Sequence, residues 1–542
     1  MNEPLRDVVI VGAGFAGMYA IHRFRGLGLD LVAVEAGTDV GGTWYWNRYP
    51  GARCDVPSIE YSFGFSEELE QTWDWPEVFS AQPDILRYAN HIADKFDLRR
   101  DIRFETRICS VEYDGDANEW HLASEDGTIF RARWVVMATG CLSVPNTPTL
   151  PGAADFGGRV LHTGLWPKAP VALEGLSVGI IGTGSSGVQA IPELARQSGH
   201  LTVFQRTPVY TVPANRKAMR SEHLAVFREH YRDLRVLQQA SDNGIANFNP
   251  RSLTGTTLRQ GRILDLDATE RRRLVEDNGL GVLVSFRDVY EDLDANETAN
   301  ALFREGIHAL VEDPITAERL APKTYGLGCK RQVLDRDFYT TFNRENVTLV
   351  DLLETPLERI TDTGITTSQT HYELDVLIYA TGFDAMTGAL LKADIRGRDG
   401  RTLNAKWEDG PLNFLGLGMH GFPNLFTVTG PGSPSVLCNM LVAIEQHVNW
   451  IGECIDYCRE QGVRTIEPLA RSETDWAAHV NEVATGTMFT APTCNSWYLG
   501  ANIEGKPRMF MPYVGGYRRY KQRCDSVAAS GYEGFEKTYQ AA

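Results

Sequence analysis

Two copies of a Gly-x-Gly-x-x-Gly motif constrain this chain more than any other feature. The glycines of the first copy are Gly12, Gly14 and Gly17. The motif follows a β-branched run at 7–11 and precedes a second predicted strand at 31–34 that ends in Glu35. In such a unit the first glycine permits a tight turn, the second lets backbone approach a pyrophosphate, and the third lets helix pack on strand. The pattern predicts a dinucleotide site in which Glu35 accepts hydrogen bonds from ribose hydroxyls.

The second copy differs at the position that discriminates between dinucleotides. Its glycines are Gly182, Gly184 and Gly187, between predicted strands at 176–181 and 201–204. The position equivalent to Glu35 is Gln205, and Arg206 and Thr207 follow it. A site that lacks the carboxylate and gains a guanidinium can bind the negatively charged 2′-phosphate of a ribose. We therefore predict an FAD site at the first motif and an NADPH site at the second.

Further patterns predict how these units are arranged. Two apolar runs, 133–140 and 375–384, each contain Ala-Thr-Gly after the apolar stretch, and we interpret them as strands that re-enter the two sheets. Between 210 and 322 no strand period appears, and 217–240 and 268–278 predict charged amphipathic helices. The predicted fold is α/β, with two Rossmann-like domains, the second inserted in the first, and a helical insertion. The predicted parts are 1–140 (FAD domain, first part), 141–175 (linker), 176–209 with 323–381 (NADPH domain), 210–322 (helical insertion) and 382–542 (FAD domain, second part, with a C-terminal loop).

Composition excludes several classes of partner. The 542 residues include 53 Lys and Arg against 70 Asp and Glu, a net charge of −17, which disfavours nucleic acid and anionic membrane surfaces. The nine cysteines form no CxxC pair, which argues against a disulfide framework or a zinc site and predicts a reduced compartment. Without a signal peptide or a long apolar run, the sequence predicts a cytoplasmic protein that contains no metal.

Two longer motifs resemble those of one enzyme family. Residues 156–167, FGGRVLHTGLWP, are similar to the FxGxxxHxxxWP fingerprint of type I Baeyer–Villiger monooxygenases, and 41–55 resemble the second fingerprint of that family. Every fixed position matches. Related N- or S-oxygenating flavin-containing monooxygenases share the double fold but lack the ending Trp166-Pro167, and they are the alternative function. We interpret His162 as a support of linker geometry rather than an acid or base.

The resemblance implies a reaction. NADPH reduces FAD, O2 then gives a C4a-peroxyflavin, and one oxygen atom enters beside a ketone carbonyl to form an ester or lactone; sulfides are a further expected substrate. Two other hypotheses are a flavin disulfide reductase or NADPH oxidase and a non-catalytic flavoprotein. The first needs a cysteine pair at the flavin, but the only close pair, Cys454 and Cys458, lies far from both glycine motifs. The oligomeric state stays open.

The resemblance also assigns residues. Arg331 is the implied active-site arginine, a guanidinium that is always charged, and Asp55 is its carboxylate partner. The implied FAD contacts are Gly12, Gly14, Phe15, Gly17, Glu35, Gly42, Thr43, Trp44, Asp55, Tyr61 and Met440. The implied NADP contacts are Gly182, Thr183, Gly184, Ser185, Ser186, Gly187, Arg206, Thr207, Lys330, Arg331 and Trp497. The ketone pocket is assigned to Ser435, Val436 and Leu437, which, with Arg53-Cys54, resemble the branch acting on phenylacetone-like and steroid ketones.

Overall fold

The computed structural model describes residues 2–213, 218–246 and 261–539. In these residues the strands, β1 to β20, are Asn2–Val11, Leu31–Val34, Ile102–Arg103, Ile108–Asp114, Glu119–Ser124, Ile129–Met137, Arg159–His162, Ser177–Ile181, His200–Gln205, Thr211–Pro213, Val333–Asp335, Val347–Asp351, Leu357–Thr361, Gly364–Thr367, His371–Glu373, Val376–Tyr379, Ile395–Arg396, Leu425–Thr427, Val463–Pro468 and Phe535–Tyr539. The α-helices, α1 to α16, are Phe15–Gly26, Thr43–Trp46, Glu67–Thr72, Gln82–Lys95, Ser185–Gln197, Ser221–Ala240, Ala268–Asn278, Asp288–Glu291, Leu293–Leu310, Pro314–Leu320, Phe338–Thr341, Gly388–Leu391, Leu403–Lys406, Met440–Glu460, Ala470–Ala484 and Tyr517–Ala529.

The first glycine motif belongs to a sheet ordered β17-β4-β5-β6-β1-β2-β3, with β18 also paired to β6. β1 pairs in parallel with β2 and with β6, so the predicted strand at 31–34 and the predicted re-entry of the chain near 133 are both confirmed. β1, β2 and β6 supply buried β-branched residues to both faces of the sheet, as a covered parallel sheet requires. The glycine turn lies at the carboxyl end of β1, where ligands of open α/β sheets bind.

The second glycine motif belongs to a separate parallel sheet ordered β12-β9-β8-β16-β7. β16 pairs with β8, which confirms the second predicted re-entry. The edge strand β7 comes from the fingerprint segment in the predicted linker, and it pairs with β16 from Arg159↔Val376 to His162↔Tyr379. An antiparallel sheet of β13, β14 and β15 lies between β12 and β16 in the chain. The α/β class with two dinucleotide-type sheets is as predicted.

The helical insertion joins the two halves of the molecule. Apolar residues of α6 pack in the core beneath the first sheet, and those of α9 pack in the core around the second sheet. α7 has the predicted bounds and begins at a capping box formed by Asp267 and Glu270. Lys217, the predicted start of the preceding helix, lies outside the described residues. The expectation of no strand in this region is wrong for β10, which is too short to give a period and forms only by pairing with β11.

The cysteine prediction is also corrected. Cys329 and Cys494, 165 residues apart in sequence, form a buried disulfide, whereas the sequence predicted only reduced cysteines. The seven remaining cysteines are free. Spacing rules recognise pairs that are close in sequence. This pair is brought together by the tertiary fold, because the segment before Arg331 and the segment before Trp497 meet in the core of the second half.

Candidate active site

The first glycine motif turns the chain from β1 into α1. Gly12 has a φ of 108°, and a Cβ there would lie 2.6 Å from the carbonyl oxygen of Ala138. A Cβ on Gly17 would lie 1.9 Å from the Gly12 carbonyl oxygen. A Cβ on Gly14 would lie 3.3 Å from the Cα of Gly42. Ala138 belongs to the first Ala-Thr-Gly segment. Small residues are needed there because two segments of the chain pass close to each other.

Both glycine motifs lead into helices with open N-termini. α1 begins at Phe15, directly after Gly14, and α5 begins at Ser185, directly after Gly184. In the part of the chain that the structure describes, neither helix has a side-chain hydrogen bond at its N-cap. The N–H groups of each first turn are therefore free to bind an anion, and the helix dipole favours a negative charge there.

Glu35 lies at the end of β2 with a fixed, buried carboxylate. Its Oε2 accepts a hydrogen bond of 2.8 Å from the N–H of Ala13, and its Oε1 accepts one of 2.7 Å from the N–H of Gly37. These bonds use only part of the accepting capacity of the carboxylate. The remaining lone pairs suit ribose hydroxyls, as the motif predicts.

An aromatic group lies next to this turn. Gly42 has a φ of 53° and precedes the short helix α2, which carries Thr43 and Trp44. The indole N–H of Trp44 donates to the Tyr61 hydroxyl at 3.1 Å, and the ring of Phe15 lies edge-on to Tyr61 with centroids 6.1 Å apart. The structure thus brings three predicted flavin contacts, Phe15, Trp44 and Tyr61, into one cluster.

Met440 approaches the same region from the C-terminal half of the chain. It is the first residue of α14 and packs against the cores of both halves. Asn439 caps the helix by accepting from the N–H of Leu441 at 3.2 Å, and it donates to the Glu60 carbonyl oxygen at 2.6 Å. The predicted helix start at this position is therefore confirmed.

The second glycine motif repeats the first geometry and leaves more room. Gly182 has a φ of 110°, and its Cβ would lie 2.6 Å from the carbonyl oxygen of Ala380, in the second Ala-Thr-Gly segment. A Cβ on Gly187 would lie 2.2 Å from the Gly182 carbonyl oxygen, whereas one on Gly184 would meet no heavy atom within 4 Å. Thr183 donates to the Thr207 carbonyl oxygen at 3.0 Å. Ser185 and Ser186 lie in the first turn of α5.

Two cations lie beside this turn. Burial, reinforced by the Arg206 guanidinium, lowers the pKa of Lys330 to about 8. The Lys330 ammonium lies 4.4 Å from the centroid of the Tyr325 ring. Among the described residues, neither cation forms an ion pair with a carboxylate. Two like charges held together without a counter-ion favour a bound dianion.

Arg331 is held by two segments far from it in sequence. Its Nε and Nη2 donate to the two carboxylate oxygens of Asp55, each at 2.6 Å, and its Nη1 donates to the carbonyl oxygen of Val436 at 2.7 Å. Burial opposes the charge of this guanidinium, but Asp55 outweighs burial and raises the pKa of Arg331 above its usual range. The structure therefore brings together the predicted pair as a bidentate ion pair.

Tyr498 is a neighbour of Arg331 that the sequence prediction missed. It is buried, and its hydroxyl interacts with the Arg331 guanidinium. Burial raises the pKa of Tyr498, and the positive charge of Arg331 counteracts this only in part. Trp497, which was predicted to contact NADP, lies against Tyr498 with ring centroids 4.3 Å apart. The only signal for Tyr498 in the sequence was that it follows Trp497.

The residues assigned to the ketone pocket form one helical turn, Ser435–Leu437. Ser435 is fully buried with a φ of 41°, and its hydroxyl lies 3.8 Å from the sulfur of Met386. The Val436 side chain is buried, while Leu437 is half-buried. Because Arg331 bonds to the backbone of this turn, the conformation of the turn and the position of the guanidinium depend on each other.

His162 and Trp166 lie in and beside the edge strand β7. The imidazole Nδ1 of His162 accepts from the N–H of Gly164 at 2.9 Å, and Nε2 lies 3.2 Å from the Asn146 carbonyl oxygen. Burial lowers the pKa of His162, so the neutral ring carries its proton on Nε2 and donates it to Asn146. Trp166 is buried in the core of the second half. His162 thus contacts backbone on both sides.

The residues fit two dinucleotides. Each half provides a glycine turn and an uncapped helix N-terminus for a pyrophosphate. The first half adds Glu35 for a ribose, and the second adds two cations, Arg206 and Lys330, for an additional phosphate. The open space beside Gly184 can receive phosphate oxygens without displacing protein atoms.

Comparison with known proteins gives consistent matches. The family model described as pyridine nucleotide-disulphide oxidoreductase matches residues 9–241. An acetone monooxygenase (methyl acetate-forming) of Gordonia sp. is 39% identical over 99% of this chain and 99% of its own. A solved steroid monooxygenase bound to NADP is 45% identical, with a TM-score of 0.91 over 99% and 100% of the chains. A solved cyclohexanone monooxygenase in a closed form is 39% identical, with a TM-score of 0.92 over 99% of both chains.

The similarity to the acetone monooxygenase, which extends over 99% of both chains, decides the assignment. The chain belongs to the Baeyer–Villiger monooxygenase family. This Baeyer–Villiger monooxygenase uses FAD and NADP as cofactors, and the alternative of a separate N- or S-oxygenating family is not favoured. In residues 2–213, 218–246 and 261–539, none of its helices has the length and apolar composition that a membrane span requires.

Proposed function

We propose that this monooxygenase inserts one atom of O2 beside the carbonyl of a ketone, with Arg331 as the catalytic residue and Asp55 as the residue that positions it. One observation carries the proposal. The Arg331 guanidinium is fixed by three hydrogen bonds between the second fingerprint, which ends in Asp55, and the turn at 435–437. A ketone bound at that turn would lie beside a permanent positive charge.

Arg331 suits this reaction for a physical reason. Bound FAD, once reduced by NADPH, supplies the chemistry that activates O2. The guanidinium keeps its proton throughout, so it can stabilise negative charge that develops on oxygen without becoming an acid in the reaction. Asp55 accepts from two of its N–H groups and leaves others directed elsewhere. Burial of the surrounding side chains limits water and strengthens this electrostatic effect.

We assign NADPH selectivity to Arg206, Thr207 and Lys330, as contacts of the ribose 2′-phosphate. The two cations supply charge, and their lack of a carboxylate partner in the described residues supports the assignment. Glu35 occupies the equivalent position in the first half, where a carboxylate suits an unphosphorylated ribose of FAD. Trp497 is assigned to the nicotinamide end because it lies next to Tyr498 at the Arg331 site.

The relatives' printed names indicate the substrate class that we favour. The steroid monooxygenase is 45% identical to this chain and the cyclohexanone monooxygenase 39%, which supports bulky, linear or aryl-alkyl ketones over small cyclic ones. The acetone monooxygenase relative extends that choice to short linear ketones. We retain sulfides as a second substrate class, because the same oxygen donor can oxidise a sulfur atom.

Oxygenation of a ketone panel under labelled O2 tests this function. Wild-type enzyme should consume NADPH faster with ketone and place one labelled atom in the ester. Arg331→Ala should still reduce FAD but form no ester, and Arg331→Lys, which keeps the charge but loses the fork, should recover only part of the product. An ester formed at the wild-type rate by Arg331→Ala would remove Arg331 from the mechanism. Unlabelled product would refute oxygen insertion.

We also propose that the NADPH domain is inserted into the FAD domain. The strands of the first sheet lie before residue 141 and after residue 381, and those of the second lie between 159 and 379, which supports an inserted NADPH domain. We propose a cytoplasmic enzyme. Its Cys329–Cys494 disulfide is buried, so a reducing solvent does not contact it directly.

A further inference from the structure

The Cys329–Cys494 disulfide joins the two segments that meet at Arg331. Cys329 directly precedes Lys330 and Arg331, and Cys494 lies four residues before Tyr498. Both cysteines are buried in the core of the second half.

The Tyr498 segment has little regular structure to fix its place. Apart from the turn Trp497–Leu499, residues 494–511 contain no helix or strand. In the described part of the chain, no backbone hydrogen bond joins 326–332 to 494–499. The disulfide is therefore a covalent link between two segments, one carrying Arg331 and the other Tyr498, that share no backbone hydrogen bond in the described residues.

The other end of the Tyr498 segment reaches the ketone-pocket turn. The N–H of Met511 donates to the Tyr498 carbonyl oxygen at 2.9 Å, and the N–H of Gly432 donates to the Met511 carbonyl oxygen at 2.6 Å. Gly432 lies three residues before Ser435, and the carbonyl of Val436 accepts from Arg331. The disulfide, Tyr498, the pocket turn at 435–437 and the Arg331 guanidinium are thus connected in one closed set of contacts.

We propose that the Cys329–Cys494 disulfide and Tyr498 are positioning elements of the Arg331 site, and that the disulfide acts through Tyr498. The inference rests on the proposed role of Arg331. The disulfide holds the C-terminal segment against the Lys330–Arg331 segment, and the contact with Tyr498 then limits the orientations of the Arg331 guanidinium. Without the link, Arg331 keeps its charge and its bonds to Asp55 and Val436 but loses the contact with Tyr498.

The first test is chemical. Peptide mapping by mass spectrometry of the purified holoenzyme, alkylated without reductant, should recover the peptides of Cys329 and Cys494 as one linked species. Two separately alkylated peptides would overturn the proposal. Cys329→Ser and Cys494→Ser then remove the link, and Cys109→Ser, an exposed free cysteine on β4, is the matched control.

The second test separates positioning from folding. Well below the melting temperature of each variant, Cys329→Ser, Cys494→Ser and Tyr498→Phe should each lower product formation per NADPH and weaken NADP+ binding about tenfold, the size of one hydrogen bond to a charged group. Cys494→Ser in the Tyr498→Phe background should add little. Wild-type coupling in the serine variants, or fully additive losses in the double variant, would refute the inference. If wild-type enzyme oxygenates no ketone, the proposed function fails, and calorimetric NADP+ affinities still decide the coupling between Cys494 and Tyr498.

Discussion

Binding of NADP+ should weaken as pH rises above 8, because Lys330 then loses its charge. Burial and the neighbouring Arg206 lower the pKa of Lys330 from 10.5 to about 8 in the free protein. A 2′-phosphate dianion placed between the two cations compensates both effects and returns the pKa toward its usual value. A group whose pKa rises on binding takes up protons in the complex, so affinity is greatest below the free-state pKa and falls above it.

The size of the effect follows from the two pKa values. If the bound lysine titrates near 10.5, the dissociation constant rises by less than 10% up to about pH 7 and about 27-fold between about pH 7 and about pH 9.5, which is about 2 kcal/mol. NAD+ lacks the 2′-phosphate and should show almost no change over this range. The ratio of the two constants therefore isolates Lys330 from other titrations.

Isothermal titration calorimetry of NADP+ and NAD+ with the FAD-loaded enzyme at several pH values measures this ratio. Lys330→Met should bind NADP+ weakly and with a flat profile. Lys323→Met is the control, because Lys323 is half exposed and pairs with Glu318 at 2.6 Å, and it should keep the wild-type profile. A wild-type ratio that stays constant between about pH 7 and about pH 9.5 would refute the placement of Lys330 at the phosphate.

The remaining predictions concern single side chains. Arg206→Ala should weaken NADP+ about tenfold and leave NAD+ unchanged, and equal losses for both nucleotides would contradict its assignment. Gly187→Ala places a Cβ 2.2 Å from a backbone oxygen and should lower the free energy of unfolding by more than about 2 kcal/mol in thermal or denaturant melts, whereas Gly184→Ala should fold normally and bind NADP+ less well. Lys406→Met leaves Glu473 buried without its 2.7 Å partner and should lower the free energy of unfolding by about 3–5 kcal/mol. The double variant Lys406→Met with Glu473→Leu should recover part of this loss. A single variant as stable as wild type would show that the pair contributes nothing.

The parts of this protein that were predictable from sequence are those in which physics acts over a few neighbouring residues. A glycine turn between a strand and a helix is required by local backbone geometry, so Gly12 and Gly182 revealed both dinucleotide units. The start of α14 at Met440 and the bounds of α7 are local for the same reason. Arg331 and Asp55 were identified only through family resemblance, because nothing in their own neighbourhoods indicates an ion pair.

Tertiary structure decided which distant groups meet. The carbonyl of Val436 and the side chain of Tyr498 approach Arg331 from segments more than a hundred residues away, and a backbone carbonyl carries no residue-specific signal. The pairing of Cys329 with Cys494 is the clearest case, since a disulfide requires only that two sulfur atoms come close after the chain has folded. Local sequence patterns were enough to predict two nucleotide sites, because a glycine turn acts over neighbouring residues. Only the fold decided which distant groups hold Arg331, because those groups meet after the chain has folded.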